Sequence, residues 1–272
     1  MKWWFIKLSL ALLLPVVMVK SEECRIVSLS PALTEIVCYL GGGKSLAGRC
    51  SACDQPPEVK SLPTVGRFGI PEVEKIVMLK PNWVIANDFM NPNVAGKLRE
   101  LGIETTLAQI NTMSDYLKWL EIIGKKLNKN KELTAALNKF ESEKRFLQQL
   151  KPLPLKVLWV VNAKPLIVAG SGSLPDSALK LMQLENAAGM VKKEYFKCSA
   201  EWVLNSSIDL MIWGVPGTPE KSGAFWKKVP AVRAKRVIYH HVYSPITRPG
   251  PRFLSAVKAM RQDIEAKIGA KL

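Results

Sequence analysis

Short apolar runs alternate with segments of helical periodicity over residues 25–110. Ile26–Leu29 and Trp83–Ala86 have the length and β-branched content of buried strands, while Leu33–Leu40 and Ile76–Leu79 repeat at helical spacing. This alternation predicts βαβ units around a largely parallel sheet. Residues 155–265 follow the same plan. Val157–Val161, Leu166–Ala169, Leu210–Trp213 and Arg236–Tyr239 read as strands, Ser177–Met182 as a helix, and Phe253 to about Lys267 as a final helix.

The segment between these blocks is different. From Lys131 to Leu150 there is neither Gly nor Pro, and Leu133, Leu137, Phe140, Leu147 and Leu150 recur at helical spacing among Lys, Glu, Asn, Gln and Ala. That predicts an amphipathic helix of about 20 residues, about 30 Å long. Pro152 and Pro154 stop it, since proline cannot continue a helical ladder. A flexible linker would be rich in Gly and Ser, so this connection reads as a strut. The expected architecture is α/β: two Rossmann-like lobes with central, mainly parallel sheets joined by one long rigid α-helix. The expected boundaries are a leader over 1–21, an N-terminal lobe over 22–127, the linking helix over 128–151 and a C-terminal lobe over 152–272.

A unit recurs within this plan. Glu72–Ile85 reads as a short helix, a turn and a buried strand, and Glu201–Ile212 reads the same way. Glu74 precedes Ile85 by eleven residues, as Glu201 precedes Ile212, and Pro81-Asn82 aligns with Ile208-Asp209. An acid in the first turn of a helix gains about 0.3–1 kcal/mol from the helix dipole, so each glutamate has a local reason to be there.

Composition narrows the class. A chain of 272 residues, 48% hydrophobic and 23% charged, is long enough for a sizeable core. Met1–Lys7 is basic, Leu8–Val19 is apolar, and Val19–Ser21 offers small residues at a cleavage site, the plan of a secretory leader. The apolar run is too short to span a bilayer. Cys24 follows Ser21, Glu22 and Glu23, which are unlike a lipoprotein box, so a soluble exported product is expected. The formal charge of +16 falls by three, to +13, once Lys2, Lys7 and Lys20 leave with the leader. The remaining lysines are scattered over helical segments with no aromatic interleaving, so they read as a solvated surface and not as a nucleic-acid interface. Cys24, Cys38, Cys50, Cys53 and Cys198 cannot all pair within the chain, and their connectivity stays open. Cys50 and Cys53 have the spacing of a redox motif, but they precede Asp54–Pro57 in a loop and do not open a helix, so a local disulfide or two free thiols is expected there. No second such pair completes a zinc site.

Catalytic constellations are missing. The only histidines, His240 and His241, are adjacent, there is no nucleophile elbow, and Ser171–Ser173 lacks the rest of a phosphate loop and reads as a tight turn before a helix. The loops carry a different chemistry. Gly66–Pro71 sets Arg67 and Phe68 between glycines, and Lys193–Ser199 carries Tyr195. Phe68 and Tyr195 each lie six residues ahead of their glutamate. Tyr239–Arg252 is a long loop with two tyrosines and two arginines. Aromatics with a few placed polar groups suit a cleft for a large flat ligand.

Arg25–Glu35, Cys53–Lys60 leading into Val65 and Gly66, Val73–Pro81, Gly170–Ser173, Ser199–Leu204 and Arg248–Arg252 together resemble, in order and over nearly the whole chain, the periplasmic substrate-binding proteins of the helical-backbone class. The likeness is greatest to the cobalamin-binding branch serving ABC importers. The resemblance implies a binder and not an enzyme, a monomer with no cofactor of its own, which holds its ligand between the lobes and delivers it to a membrane permease. It implies that Glu74 and Glu201 dock onto permease arginines. Ligand contacts fall on Phe68, Asn87, Tyr195 and the loop carrying His241, Tyr243, Ser244, Ile246 and Arg248, with His241 a candidate to approach a ligand metal. Phe68 and Tyr195 stand where some relatives have tryptophan. The expected cargo is cobalamin or a related corrinoid, with haem or an iron–siderophore as alternatives, and the expected location is the periplasm. A thiol oxidoreductase using Cys50 and Cys53 is the lower-ranked reading, beside an adhesion or signalling module.

Overall fold

The computed structural model describes residues 23–269, with residues 241–244 described by backbone alone. The leader expected over 1–21 lies outside the described residues. The N-terminal half contributes β1 (Ile26–Ser28), α1 (Pro31–Tyr39), β2 (Leu46–Arg49), the hairpin β3 (Gly66–Arg67) and β4 (Ile70–Pro71), α2 (Val73–Met78), β5 (Trp83–Ala86), α3 (Pro92–Glu100), β6 (Glu104–Leu107) and α4 (Met113–Lys126). β1, β2, β5 and β6 form one parallel sheet in the order β2-β1-β5-β6. The strut follows as α5 (Asn130–Gln148). Then come β7 (Lys156–Ala163), β8 (Leu166–Ala169), α6 (Leu174–Leu181), β9 (Glu185–Asn186), β10 (Tyr195–Lys197), α7 (Ala200–Asn205), β11 (Leu210–Trp213), α8 (Pro219–Ser222), α9 (Pro230–Arg233), β12 (Val237–Tyr239) and α10 (Phe253–Ile268).

The second sheet runs β10-β8-β7-β11-β12, with β9 beside the start of β7. It is mixed but still mainly parallel, as the alternation predicted, with β8 the one strand that runs against the rest. β7 pairs in parallel with β11 and β9, but antiparallel with β8, which in turn pairs antiparallel with β10. The reason is the connection: only Lys164 and Pro165 separate β7 from β8, and so short a link cannot carry the crossover that parallel strands need.

Strand residues alternate between two interiors. Ile26, Trp83, Ile85, Val157, Trp159, Leu210 and Ile212 point into one core, while Val27, Val84, Ala86, Leu158, Val160, Met211 and Trp213 serve two outer clusters. The shared core is filled by α1, α4, α5, α6 and α10, with Leu133, Ala136, Phe140 and Leu147 of the strut and Leu254, Val257, Met260 and Ile264 of α10. The strut is therefore packed along its length against both halves. A Thr112–Asp115 capping box starts α4, with the Thr112 hydroxyl accepting from the Asp115 amide at 3.1 Å and the Asp115 carboxylate accepting from the Thr112 amide at 3.0 Å.

The repeated unit agrees down to its hydrogen bonds. α2 and α7 are each six residues long, and each starts ten residues before a central parallel strand, β5 or β11. Asn82 Oδ1 accepts from the Arg25 amide at 2.8 Å, and Asp209 Oδ2 accepts from the Lys156 amide at the same distance. In return the Asn82 amide donates to the Arg25 carbonyl and the Asp209 amide to the Lys156 carbonyl. One side chain thus locks the entry of the central strand to its neighbour in both halves.

Two outcomes follow. Asn82→Ala and Asp209→Ala should each cost about 1 kcal/mol in urea denaturation, and the double variant should cost their sum because the sites share no partner. A loss at one site alone would break the equivalence. Because one core joins both halves, Phe140→Ala should cost about 3–5 kcal/mol while calorimetry still shows a single transition. Two separated transitions would contradict a shared core.

Candidate functional site

The loops leaving the carboxyl ends of β1, β2, β5 and β6 converge on one cleft of about 340 Å³. Ser30 and Pro31 come from the first loop, Ala52 from the second, Asn87 and Phe89 from the third, and Ile110 and Asn111 from the fourth. Thr247, Arg248 and Pro249 close it from the C-terminal half. Parallel sheets bind ligands outside the carboxyl ends of their strands, where loop amides and side chains converge without disturbing the ladder.

Phe68 enters from the tip of the β3–β4 hairpin. Gly66 makes that hairpin possible: its φ is +117°, and a Cβ there would lie 2.6 Å from the Ile70 carbonyl oxygen. Phe68 meets Phe89 with ring centroids 6.0 Å apart at 58°, and both rings remain substantially exposed. Asn87 is buried and lines the cleft, and none of the described hydrogen bonds uses its side-chain amide, which leaves its donor and acceptor available there.

Charge at the cleft comes from an inter-half network. Arg252, at the start of α10, grips the buried Glu35 of α1 through two bonds of 2.9 Å, Nε to Oε2 and Nη2 to Oε1. Arg248 Nη1 lies 3.1 Å from Asp54 Oδ1 and 3.7 Å from Glu35 Oε1. The Glu35 carboxylate, through those bonds, raises the pKa of Arg252 above its ordinary value. Arg248 thus stands at the cleft wall with part of its guanidinium open.

Of the residues named from the resemblance, Phe68, Asn87 and Arg248 line this one cavity, and others lie elsewhere. Ile246 is fully buried in the shared core, a correction to its place among the ligand contacts: an aliphatic side chain in a turn packed on α6 and α10 gains more from burial than from facing the cleft. Tyr195 opens the edge strand β10, exposed, and does not line this cavity. The side chains of His241, Tyr243 and Ser244 lie outside the described residues. Glu74 and Glu201 stand exposed in the first turns of α2 and α7, and among the described residues neither takes part in an ion pair. Sequence reasoning missed Phe89, Asn111 and Glu35. An aromatic in the polar loop after Trp83–Ala86 was a usable signal for Phe89; nothing local marks Glu35, whose partner is 217 residues away.

Other motifs resolve as structural. Asp176 accepts from the Gly172 amide, Lys180 and Asn186 at 2.7–3.0 Å, so the Gly170–Ser173 turn is closed by its own helix. Burial opposes the Asp176 charge, but those bonds hold its pKa below the ordinary value. All five cysteines are thiols. Cys50 and Cys53 are buried in a turn that is not at a helix N-terminus, with sulfurs 3.1 Å apart. Among the described residues no group of three or more His, Cys, Asp or Glu is arranged for a metal, and no helix is long and apolar enough to cross a membrane.

Residues 26–242 match the family described as periplasmic binding protein. Over 264 residues the chain is 25% identical to YvrC, an ABC transporter substrate-binding lipoprotein of Bacillus subtilis (strain 168), covering 91% of this chain and 82% of that one. It is 27% identical over 242 residues to the vitamin B12-binding protein of Vibrio cholerae serotype O1 (strain M66-2), covering 86% of each. Among solved structures, the periplasmic heme-binding protein HutB of Vibrio cholerae superposes with a TM-score of 0.79 at 23% identity, over 89% of this chain and 99% of that one. The periplasmic vitamin B12-binding protein BtuF of Vibrio cholerae superposes with a TM-score of 0.75 at 24% identity, over 90% and 97%. These relatives are binding proteins and not enzymes, which removes the thiol oxidoreductase reading, and the chain belongs to the periplasmic binding protein family.

Proposed function

We propose that this chain is the substrate-binding component of an ABC importer, which captures a cobalamin-type corrinoid in the cleft and delivers it to a membrane permease. The observation that carries this reading is the convergence of Phe68, Phe89 and the Asn87 amide on one cavity of about 340 Å³. That volume lies within the range of small-molecule sites, and an open cleft grips a large disc by one face while the rest stays in water. The two aromatic rings supply apolar area and Asn87 supplies hydrogen bonds suited to the amide groups that edge a corrin. Vitamin B12-binding relatives at about 25% identity support the same ligand class.

The halves flanking the cleft are residues 22–127 and 152–272, joined by the helical connection 128–151. The chain is exported through the leader at 1–21 and works as a soluble monomer in the periplasm, without nucleic-acid partners. Glu74 and Glu201, without an ion pair among the described residues and set in matching units, are the contacts for permease arginines.

Haem is the second reading, and Arg248 favours it. A guanidinium at the cleft wall is matched to the carboxylate of a propionate, whereas the amides of a corrin make no such demand.

Absorbance titration with cyanocobalamin, cobinamide and hemin tests both. Corrinoid binding is expected, weakened about 5- to 30-fold by Phe68→Ala, equivalent to about 1–2 kcal/mol, and little changed by Arg248→Gln. Binding of hemin alone, lost with Arg248→Gln, would replace the corrinoid by haem, and no binding of any of the three would sink the reading. Charge reversal of Glu74→Lys with Glu201→Lys should leave ligand affinity unchanged and slow association with the permease in nanodiscs about tenfold at low salt, the difference shrinking as salt rises. Unaltered association would remove these glutamates from the docking surface.

A further inference from the structure

The dithiol of Cys50 and Cys53 has no part in gripping a ligand, yet it sits at the mechanical centre of the cleft wall. Its turn is bound on every side. The Cys50 amide donates to the Ser28 carbonyl at 3.0 Å, the Cys53 amide to the Cys50 carbonyl at 3.1 Å, and the Ser51 amide to Gly66, the base of the Phe68 hairpin, at 2.9 Å. The Arg49 guanidinium gathers the Cys50, Cys53 and Lys60 carbonyls at 3.0–3.2 Å. Between the two cysteines Ala52 lines the cavity, and directly after them Asp54 reaches Arg248 of the opposite half. The sulfurs are 3.1 Å apart and have about 1 Å to travel to a bonded separation of about 2.05 Å.

We propose that Cys50 and Cys53 form a reversible disulfide site that braces this wall, closed by a small-molecule disulfide of the oxidising exterior. The Cys50 thiolate attacks one sulfur of the small disulfide, forming a mixed disulfide and expelling one small thiolate, which takes up a proton. Cys53 then loses its proton and attacks Cys50 Sγ, breaking the mixed disulfide and releasing the second small thiol. Two protein thiols are oxidised and one small disulfide is reduced to two thiols. The environment suits this order of events. The hydrogen bond from Cys53 holds the Cys50 thiol down, at about 7, against the opposing effect of burial, while Cys53 is pushed up as the donor. A thiol that ionises near ambient pH is the best attacking group in such exchange. Both sulfurs are fully buried beneath an exposed Ser51, so exchange waits for the turn to open, and the closed disulfide is shielded from reductants. That suits a brace and not a turnover catalyst. Because Asp54 follows Cys53 directly, oxidation and the Asp54–Arg248 contact are linked, and each must shift the other by the same factor.

The inference rests on the cleft but not on which ligand fills it, so its test uses none. Protein from the full chain is equilibrated with oxidised and reduced glutathione, acid-quenched, alkylated under denaturing conditions and mapped by mass spectrometry. Free thiols are expected to fall from five to three, with the peptide holding Cys50 and Cys53 lighter by two hydrogens, free of glutathione, and restored by dithiothreitol. Two alkylated sulfurs, a persistent glutathione adduct, or pairing with Cys24, Cys38 or Cys198 would overturn the site. In Arg248→Gln the oxidised-to-reduced ratio at fixed glutathione should change about threefold or more. An unchanged ratio would overturn the link to the opposite half.

Discussion

The bidentate pair between Glu35 and Arg252 is the contact on which the geometry of the cleft depends. Glu35 lies inside α1, buried, and among the described residues no other basic group is as close as Arg252. A buried carboxylate must be paired, and removing its partner costs about 3–5 kcal/mol because the charge is stranded away from water. That demand draws the segment before α10 across onto the N-terminal half. Once Arg252 is fixed, Arg248, four residues earlier, is held at the cleft wall beside Asp54. The same pair sets where α10 begins, and α10 lies along α5 in the shared core. One ion pair therefore fixes both a cation at the cleft wall and the packing of two helices.

The second constraint is the shared interior. Each sheet turns one face to a common set of helices and the other to its own cluster, so neither half closes its core alone. A binding protein built this way has little freedom to hinge, since relative rotation would shear α5 against packed apolar side chains. Adjustment to a ligand then falls to the loops at the strand ends. These are the segments that carry Phe68, Phe89 and the Cys50–Cys53 turn.

The internal repeat gives the molecule matched halves without making them alike. Asn82 and Asp209 lock equivalent strand junctions, and α2 and α7 present their glutamates at equivalent registers. The cleft nevertheless draws most of its wall from the first half, because all four strands of the first sheet run parallel and end on one side. In the second sheet β8 runs against its neighbours, and Tyr195 lands on the exposed edge strand β10 beyond it.

The sequence by itself determined the elements and their pairing into two units. Period-two strands, a long uninterrupted amphipathic segment and proline stops are local signals, and each reports burial on a scale of a few residues. The register of Glu74 and Glu201 was legible for the same reason, as were Phe68 and Arg248 in their glycine- and proline-marked loops. What only the tertiary structure decided was which residues meet. Glu35 reads as one more polar position on a helix until Arg252, 217 residues on, is brought against it. Ile246 reads as a loop residue beside a cleft until the core claims it. Burial and long-range charge pairing are properties of the folded whole, and no window of the chain carries them.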